Sequence, residues 1–577
     1  AMSSSTINSC KLMLLGRCLR ALSFSVGIQF LLLTVFLLLV NFQVLHPLHW
    51  VVSTFSLVCS LYTWFASIPL IGAVIFYGLS LSQQYLAERR YHATRYRWLL
   101  HNGPRKLLFL SAHLLFGYLT AWLYTGYLNT DYSNLTYKCY GQDCLSSYHV
   151  YLLGMGITAG CYYFVTRHMR QEVSLDFAIV ELSRTEKLRE VLYKTLLMAP
   201  IKSLVPTLSY SLVFWLLSPF FNQRLSLLLG VDADDRLSSV WQMLSSVRLL
   251  FYGWLLTTQI LSNMHLMQRL YAMLLTERLP LVVARQRLDA GEVTIAGALG
   301  LSNAYVVQCL AAHLIFKLSQ RKNSLARLEY FQLTEPGNRP VNWRALCDQY
   351  LSIVGGYTDE LANAVEQLLS VKGKREQGLA QNDVNGTMLA EKLMLRQYNA
   401  MHGIRQAVSP PRNLPQQQWT QDGVRHMPNW CERVSQQLEA AMQGLIKSIP
   451  GIVYLFMEPE HAKCLYLLEH SLPIIWLTQA LSHICAASLN EDRFGVVQDD
   501  LAGIIRAQYR LKCELDKLSG ALITHRLSSS GFNLLVRAVR RSLYNICHAF
   551  QDYLPELLKD STDKSELHQL QAFIQLG

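Results

Sequence analysis

Between Ala21 and Leu266 the chain holds six stretches that are apolar almost without a break: 21–45, 57–81, 107–128, 148–165, 203–221 and 244–266. A helix needs about 20 predominantly apolar residues to cross a hydrocarbon layer ~30 Å thick at ~1.5 Å per residue, so each stretch is span-sized. Lipid offers backbone N–H and C=O groups no partners, and continuous rather than alternating apolarity predicts helices, not barrel strands. The fifth stretch is the most interrupted, because Pro200, Lys202 and Pro206 crowd its start. After Arg269 the pattern changes. Apolar residues recur at spacings of three and four over 303–320, 342–370, 388–407, 430–447 and 471–488, which predicts amphipathic helices of a soluble, all-helical half. Breaks fall at Glu335-Pro336-Gly337, in the polar run 372–385, and from Ser409-Pro410-Pro411 to Gln418.

The expected fold is therefore all-α, a six-helix transmembrane bundle followed by a cytosolic α-helical domain. Its expected divisions are an N-terminal tail 1–20, a six-span domain 21–269, a membrane-proximal helical region 270–371, a partly disordered connector 372–428 with one amphipathic helix, and a C-terminal helical domain 429–577. That helix, Met388–Ala407, has two readings: a surface for lipid or a partner groove, or ordinary docking on the neighbouring bundle.

Charge orients the spans, because Lys and Arg near membrane helices are kept on the cytosolic face. Lys11, Arg17 and Arg20 precede span one. Arg89, Arg90, Arg95, Arg97, Arg105 and Lys106 follow span two, and Arg167, Arg170, Arg184, Lys187, Arg189 and Lys194 follow span four. The opposite loops hold only Lys138, Arg224 and Arg236. Both termini are thus expected in the cytosol. The net charge of +12 is partly this topology signal and suits an anionic cytosolic leaflet; it gives no reason to propose direct nucleic-acid binding. No cleavable leader is expected, since the first apolar stretch is longer than a signal-peptide core.

The spans are nearly empty of charge. Lys202 and Arg248 lie near span ends, where long side chains reach the interface, and His113 and His265 read as packing residues. Without ionisable groups at depth or duplicated broken helices, a transporter is disfavoured. Gly154, Gly156 and Gly160 are not a phosphate loop, because no strand precedes them. Gly156 and Gly160 form a small-xxx-small face, for packing inside the bundle or for contact between two copies, so self-association stays open. In the loop before span four, Asn134-Leu135-Thr136 is a glycosylation acceptor pattern, and Cys139 and Cys144 are the one pair among 13 cysteines that shares an expected luminal loop and so suits a disulfide. No nucleophile, phosphate-loop or zinc-ligand pattern emerges; His461, His470 and His483 near Cys464 and Cys485 read as bundle residues. Neither a catalytic site, a cofactor nor a metal is expected.

The C-terminal half contains Ile475-Trp476, Ala480-Leu481-Ser482-His483, Ala486-Ala487-Ser488 and the run Glu491, Asp492, Arg493, Phe494, Gly495, Val496, Val497, Gln498. That run resembles the C-terminal signature of the nuclear division cycle (Ndc) family of transmembrane nucleoporins. His46-Pro47 with Trp50, Cys144-Leu145 before Tyr148-His149, and Leu318-Ser319 leading to Asn342-Trp343 match the same family in the same order. The resemblance implies a scaffold: a multi-pass protein of the nuclear envelope with both termini cytosolic or pore-facing, which anchors the nuclear pore complex in its membrane and takes part in pore assembly. Implied partners are the WD-repeat nucleoporin Aladin, the inner-ring nucleoporin with an RRM-type domain, and the lipids of the pore membrane. The connector is shorter than the Ser/Pro-rich linker of vertebrate relatives, so regulatory phosphorylation there is not carried over. The alternative class is a polytopic endoplasmic reticulum enzyme or transporter. Within the signature, Asn490 is expected to cap a helix starting near Glu491, Arg493 to pair with a carboxylate, and Phe494 to Val497 to be buried.

Overall fold

The structure, a computed structural model, describes residues 2–369 and 454–557 apart from short interruptions, the widest within 170–182 and at 284–292, together with His568 and Leu570. The expected connector 372–428, its helix Met388–Ala407 and the helix expected at 430–447 lie outside the described residues. What is described is mostly helical, 82% helix and 3% strand. The chain divides into two compact units, one of Ala1–Arg89 and His101–Leu346, the other of Arg90–Leu100 and Cys347–Gly577. The region expected to be membrane-proximal is thus shared between them, passing from the first to the second after Leu346.

In the first unit the helices are α1 (Met2–Val40), α2 (Pro47–Val58), α3 (Leu61–Leu86), α4 (Arg95–Thr125, from His101 onward), α5 (Thr130–Ser133), α6 (Ser147–Phe164), α7 (Arg184–Leu229), α8 (Val240–Ser245), α9 (Val247–Leu275), α10 (Ile295–Leu299), α11 (Tyr305–Gln320) and α12 (Leu325–Leu328). A hairpin of β1 (Thr136–Cys139) and β2 (Gln142–Leu145) sits before α6, with Tyr137 opposite Cys144. α9 is the central rod, packed against α1, α6 and α7. Leu249, Gly253, Leu256, Ile260, Met264, Met267 and Tyr271 follow helical spacing along it, and Gln259, Ser262 and Asn263 between them are buried as well.

α7 runs unbroken through Pro200, Pro206 and Pro219, so the interrupted fifth stretch is part of one long helix. Proline inside a helix loses a backbone bond, and neighbouring helices offset this in membrane bundles. Here Trp254 Nε1 donates to the Pro200 carbonyl (3.0 Å) and the Ser203 and Thr258 hydroxyls meet at 2.7 Å, tying α7 to α9. The helix opens on a reciprocal Ser183–Glu186 capping box and closes on Gly230 in the left-handed region, whose successor Val231 donates to Ser226 O.

Among the described residues, five helices are long and apolar enough to cross a membrane: Ile7–Val40, Leu61–Leu86, Arg95–Thr125, Thr185–Leu229 and Leu472–Glu491. Four coincide with expected spans. α6 and α9, expected as spans four and six, do not meet that standard, and Leu472–Glu491 was read from sequence as an amphipathic helix of the soluble half. Burial supplies the reason. α6 and α9 are enclosed by other helices and carry polar groups inward, whereas the Leu472–Glu491 helix is apolar because 61% of its window is covered by protein, against 28% for α7.

In the second unit, α13 (341–369, counted here from Cys347), α14 (Ala462–Glu469), α15 (Leu472–Glu491), α16 (Gln498–His525), α17 (Ser530–Ala549) and α18 (Leu554–Leu557) form a helical bundle. α17 packs against α14, α15 and α16. Its buried Leu535, Val539, Leu543 and Ile546, with Leu501, Ile504, Leu511, Leu515 and Leu518 of α16, are one-stripe patterns at spacings of three and four. Ser482 Oγ donates to Ser542 O (2.9 Å), Tyr357 Oη donates to Leu467 O (3.2 Å), and Arg510 pairs with Asp359 at 2.7 Å.

Candidate functional site

The chemistry available in the first unit is that of a surface rather than a catalytic cleft. Large apolar side chains point outward along α1 (Leu12, Leu19, Phe24, Leu31), α3 (Leu61, Phe65, Ile68), α4 (Leu107, Leu115, Trp122) and α7 (Leu197, Ile201, Leu208, Leu212, Leu216, Phe220). Exposed apolar surface on this scale marks a partner or a membrane.

Inside that surface the helices are joined by polar contacts and by small residues. Asn263 Nδ2 donates to Gln29 Oε1, Gln29 Nε2 to Tyr124 Oη (3.3 Å), and Gln259 Nε2 to Leu32 O (2.9 Å), linking α1, α4 and α9. Such bonds matter where lipid supplies no hydrophobic force between helices. Gly156 and Gly160 on α6 face α4 within the bundle. A Cβ on Gly160 would overlap the His113 carbonyl, one on Gly156 would meet Ala121 and the Gly117 carbonyl, and one on Gly117 would meet the Gly156 carbonyl. His113 packs edge-on against Tyr77 and Phe109 and its Nδ1 lies 2.7 Å from Phe109 O.

Arg17 plays a part that counting charges overlooked. Its guanidinium is buried and donates to the carbonyls of Leu275 (3.2 Å), Glu277 (2.5 Å) and Arg278 (2.6 Å), closing the C-terminal end of α9. A cation there satisfies orphan carbonyls and complements the helix dipole. The sequence signal was a lone arginine on the apolar face of a span-sized helix.

At the hairpin, Cys139 and Cys144 are joined as a disulfide with Cα atoms 5.8 Å apart. Asn134 is exposed and directly follows α5. Residue 232 continues the pairing, with Leu145 N–H donating to Asp232 O (2.9 Å) and Asp232 N–H to Asp143 O (3.0 Å).

The signature run forms a corner. α15 ends at Glu491 and the next helix starts at Gln498, so Asn490 lies in the last turn of a helix and does not begin one, a correction to the cap expected there. The cap is Asp492 instead. Its carboxylate accepts from the backbone N–H of Phe494 (3.1 Å) and Val497 (3.0 Å), and Gly495 at φ +67° makes the left-handed bend between them. Val496 and Val497 are buried, but Phe494 is 61% exposed, so only the last two apolar residues enter the core. Arg493 is exposed and has no ion pair among the described residues.

Among the described residues of the second unit, the buried cysteines are not set up as nucleophiles. Burial, with Asp500 and Asp348 nearby, pushes the Cys347 thiol up to about 12, and burial pushes Cys485 up as well, so neither offers a thiolate near neutral pH. Among the described residues no group of His, Cys, Asp and Glu could hold a metal ion.

Comparison with known proteins follows the whole chain. The family described as "Nucleoporin protein Ndc1-Nup" matches residues 12–568. Nucleoporin Ndc1 of Drosophila melanogaster is 58% identical over 576 residues, covering 99% of both chains. The human nucleoporin NDC1 is 21% identical over an alignment of 638 residues, covering 94% of each, and that of Xenopus laevis 22% over 661, covering 98% of this chain and 99% of the relative.

Proposed function

We propose a function that proceeds from the family: the chain belongs to the Ndc1 nucleoporins, and is therefore a membrane protein of the nuclear pore and not an enzyme. The reading is that the first unit anchors the pore complex in the membrane where the two nuclear membranes meet, and that the second recruits soluble nucleoporins during pore assembly. The observation that carries it is the outward apolar surface of α1, α3, α4 and α7, which lipid would cover, together with a second unit that buries its apolar residues as a water-facing domain does.

The six spans of this reading are α1, α3, α4, α6, α7 and α9, with α15 a core helix of the soluble part. Both termini face the cytosol or pore, Asn134 carries a glycan on the luminal side, and the Cys139–Cys144 bridge persists there. The recruited proteins are those the signature implies, Aladin and the RRM-type inner-ring nucleoporin.

The test uses the full chain in cells, tagged at each terminus. Selective permeabilisation of the plasma membrane should expose both tags to protease, Asn134→Gln should remove a glycosidase-sensitive mass shift, and proximity labelling at the nuclear rim should collect both partners. A C-terminal tag shielded in the lumen, or even spread through the endoplasmic reticulum without nucleoporin labelling, overturns the reading.

A further inference from the structure

In the first unit, a half-open cavity of about 610 Å³ lies where α6 gives way to the π-turn Val165–Met169, beside the early part of α7 and the last third of α9. Its lining gathers cations from separate elements, Arg167 on the π-turn and Lys194 and Lys202 on α7, with the His265 ring on α9 and the hydroxyls of Tyr162 and Thr166 beside them. A π-turn inside a helix widens the backbone and is frequent at functional sites; here it delivers Arg167 to the cavity. Glu190 pairs with Lys194, but among the described residues neither Arg167 nor Lys202 has an ion pair.

The rest of the wall is apolar, from Met198, Ala199 and Leu261, and α7 continues outward from it with exposed Leu197, Ile201, Leu204 and Val205. A site with two unpaired cations on its floor and an exit onto an outward-facing apolar helix fits a molecule with a multiply charged head and hydrocarbon tails. Basic pockets between spanning helices on the cytoplasmic side bind such headgroups. The volume falls within the ~300–1,000 Å³ typical of sites for ligands larger than a bare phosphate.

We propose that this cavity is a specific site for the headgroup of a polyanionic phospholipid of the phosphoinositide class, with Arg167 and Lys202 binding its phosphates. The proposal deepens the anchoring function and rests on the first unit being membrane-embedded. The phosphates take charge-assisted hydrogen bonds from the guanidinium and ammonium, the hydroxyls meet the inositol ring, and the acyl chains lie along α7.

The test uses the purified full chain in phosphatidylcholine nanodiscs doped with phosphatidylinositol 4,5-bisphosphate or with phosphatidylserine. Lipid retention is read by native mass spectrometry. Wild type should retain the bisphosphate over phosphatidylserine. The pair Arg167→Gln and Lys202→Gln should weaken retention about tenfold or more, one charged hydrogen bond being worth about that factor. The control pair Lys138→Gln and Arg224→Gln should leave it unchanged, and the melting temperature should hold in all variants. Equal loss in both pairs means diffuse charge attraction, and no loss in either means no site here; both overturn the proposal. Soluble inositol trisphosphate binding as tightly as the lipid overturns the lipid assignment in favour of a free phosphate compound. Because a nanodisc exposes both faces, these results do not depend on orientation. A chain that stays soluble without lipid or detergent would instead sink the anchoring function and the pocket with it.

Discussion

α7 and α15 are both apolar enough to cross a membrane, yet their large apolar side chains are turned opposite ways. Along α7 the large side chains point away from the protein, with Leu212 60% exposed; along α15 they point inward, with Leu481 1% exposed. The means of packing differ accordingly. In the second unit, removal of apolar area from water drives α15, α16 and α17 together, and ion pairs sit at the rim. In the first, which the proposed function places in lipid as apolar as leucine, helices are selected by close backbone approach at Gly117, Gly156 and Gly160 and by the Gln29, Asn263 and Tyr124 contacts. Hydropathy measures how apolar a helix is, not what its apolar side meets.

The sharpest way to break this contrast is to fill the small-residue contact. Gly160→Leu forces α4 and α6 apart and should destabilise the first unit by about 3 kcal/mol or more, because backbone atoms cannot move aside as side chains do. Gly72→Leu on α3, with nothing within 4 Å of its built Cβ, should be tolerated. Thermal melting of the detergent-purified full chain reads both, and equal melting temperatures would refute the packing role.

Next in size is one substitution made in both units. Leu481→Ala opens a cavity in a water-driven core and should cost about 2–5 kcal/mol. Leu212→Ala exchanges one lipid contact for another and should cost under about 1 kcal/mol. Hydrogen exchange of the full chain in nanodiscs, read at α15 and at α7, separates them. Comparable losses would mean that α7 is covered by protein after all.

Much of this was legible in the chain, and what was not has a physical cause. The apolar lengths of α1, α3, α4 and α7 and the three-and-four spacing of α11 and α13 are properties of sequence alone. α6 and α9 carry Gln259, Asn263 and several hydroxyls that a lipid-facing helix would avoid, because they face partners and not lipid; periodicity cannot name those partners. Arg17 was read as a topology charge because its three acceptors come from residues some 260 positions away. At the signature, Asn and Asp are both good caps, and only the positive φ of Gly495 decides that Asp492 holds the turn. The cavity around Arg167 needs three helices to exist and leaves no local mark beyond scattered basic residues.

A smaller effect probes the corner. Asp492→Ala strands the N–H groups of Phe494 and Val497 and should cost about 1–2 kcal/mol, with Gly495→Ala adding about 1–2 kcal/mol of left-handed strain. Because Phe494 is outside the core, Phe494→Ala should leave the melting temperature within error; if it falls as far as Asp492→Ala does, the ring is packed and the described corner is wrong.

The smallest effect lies at the rim of the second unit, where Asp516 meets Arg540 at 2.7 Å and Lys512 at 3.0 Å. Partial burial raises the Asp516 carboxyl, but the hydrogen bonds and charges of Arg540 and Lys512 outweigh it and hold the group below its ordinary 3.8. A carboxyl whose folded pKa is depressed binds its proton more readily when unfolded. Its contribution is therefore fully present above about pH 4 and is lost as the pH falls through the folded value. Surface pairs are worth ~0–1 kcal/mol, so Arg540→Met should lower stability by a fraction of that at pH 7 and by progressively less as the pH falls through the folded value. Hydrogen exchange of α16 and α17 peptides, corrected for the intrinsic pH dependence, reads the difference between variant and wild type. A penalty that persists unchanged to pH 2 would assign the role of Arg540 to the packing of its aliphatic stem, making even the rim of this unit an apolar contact, as its core is.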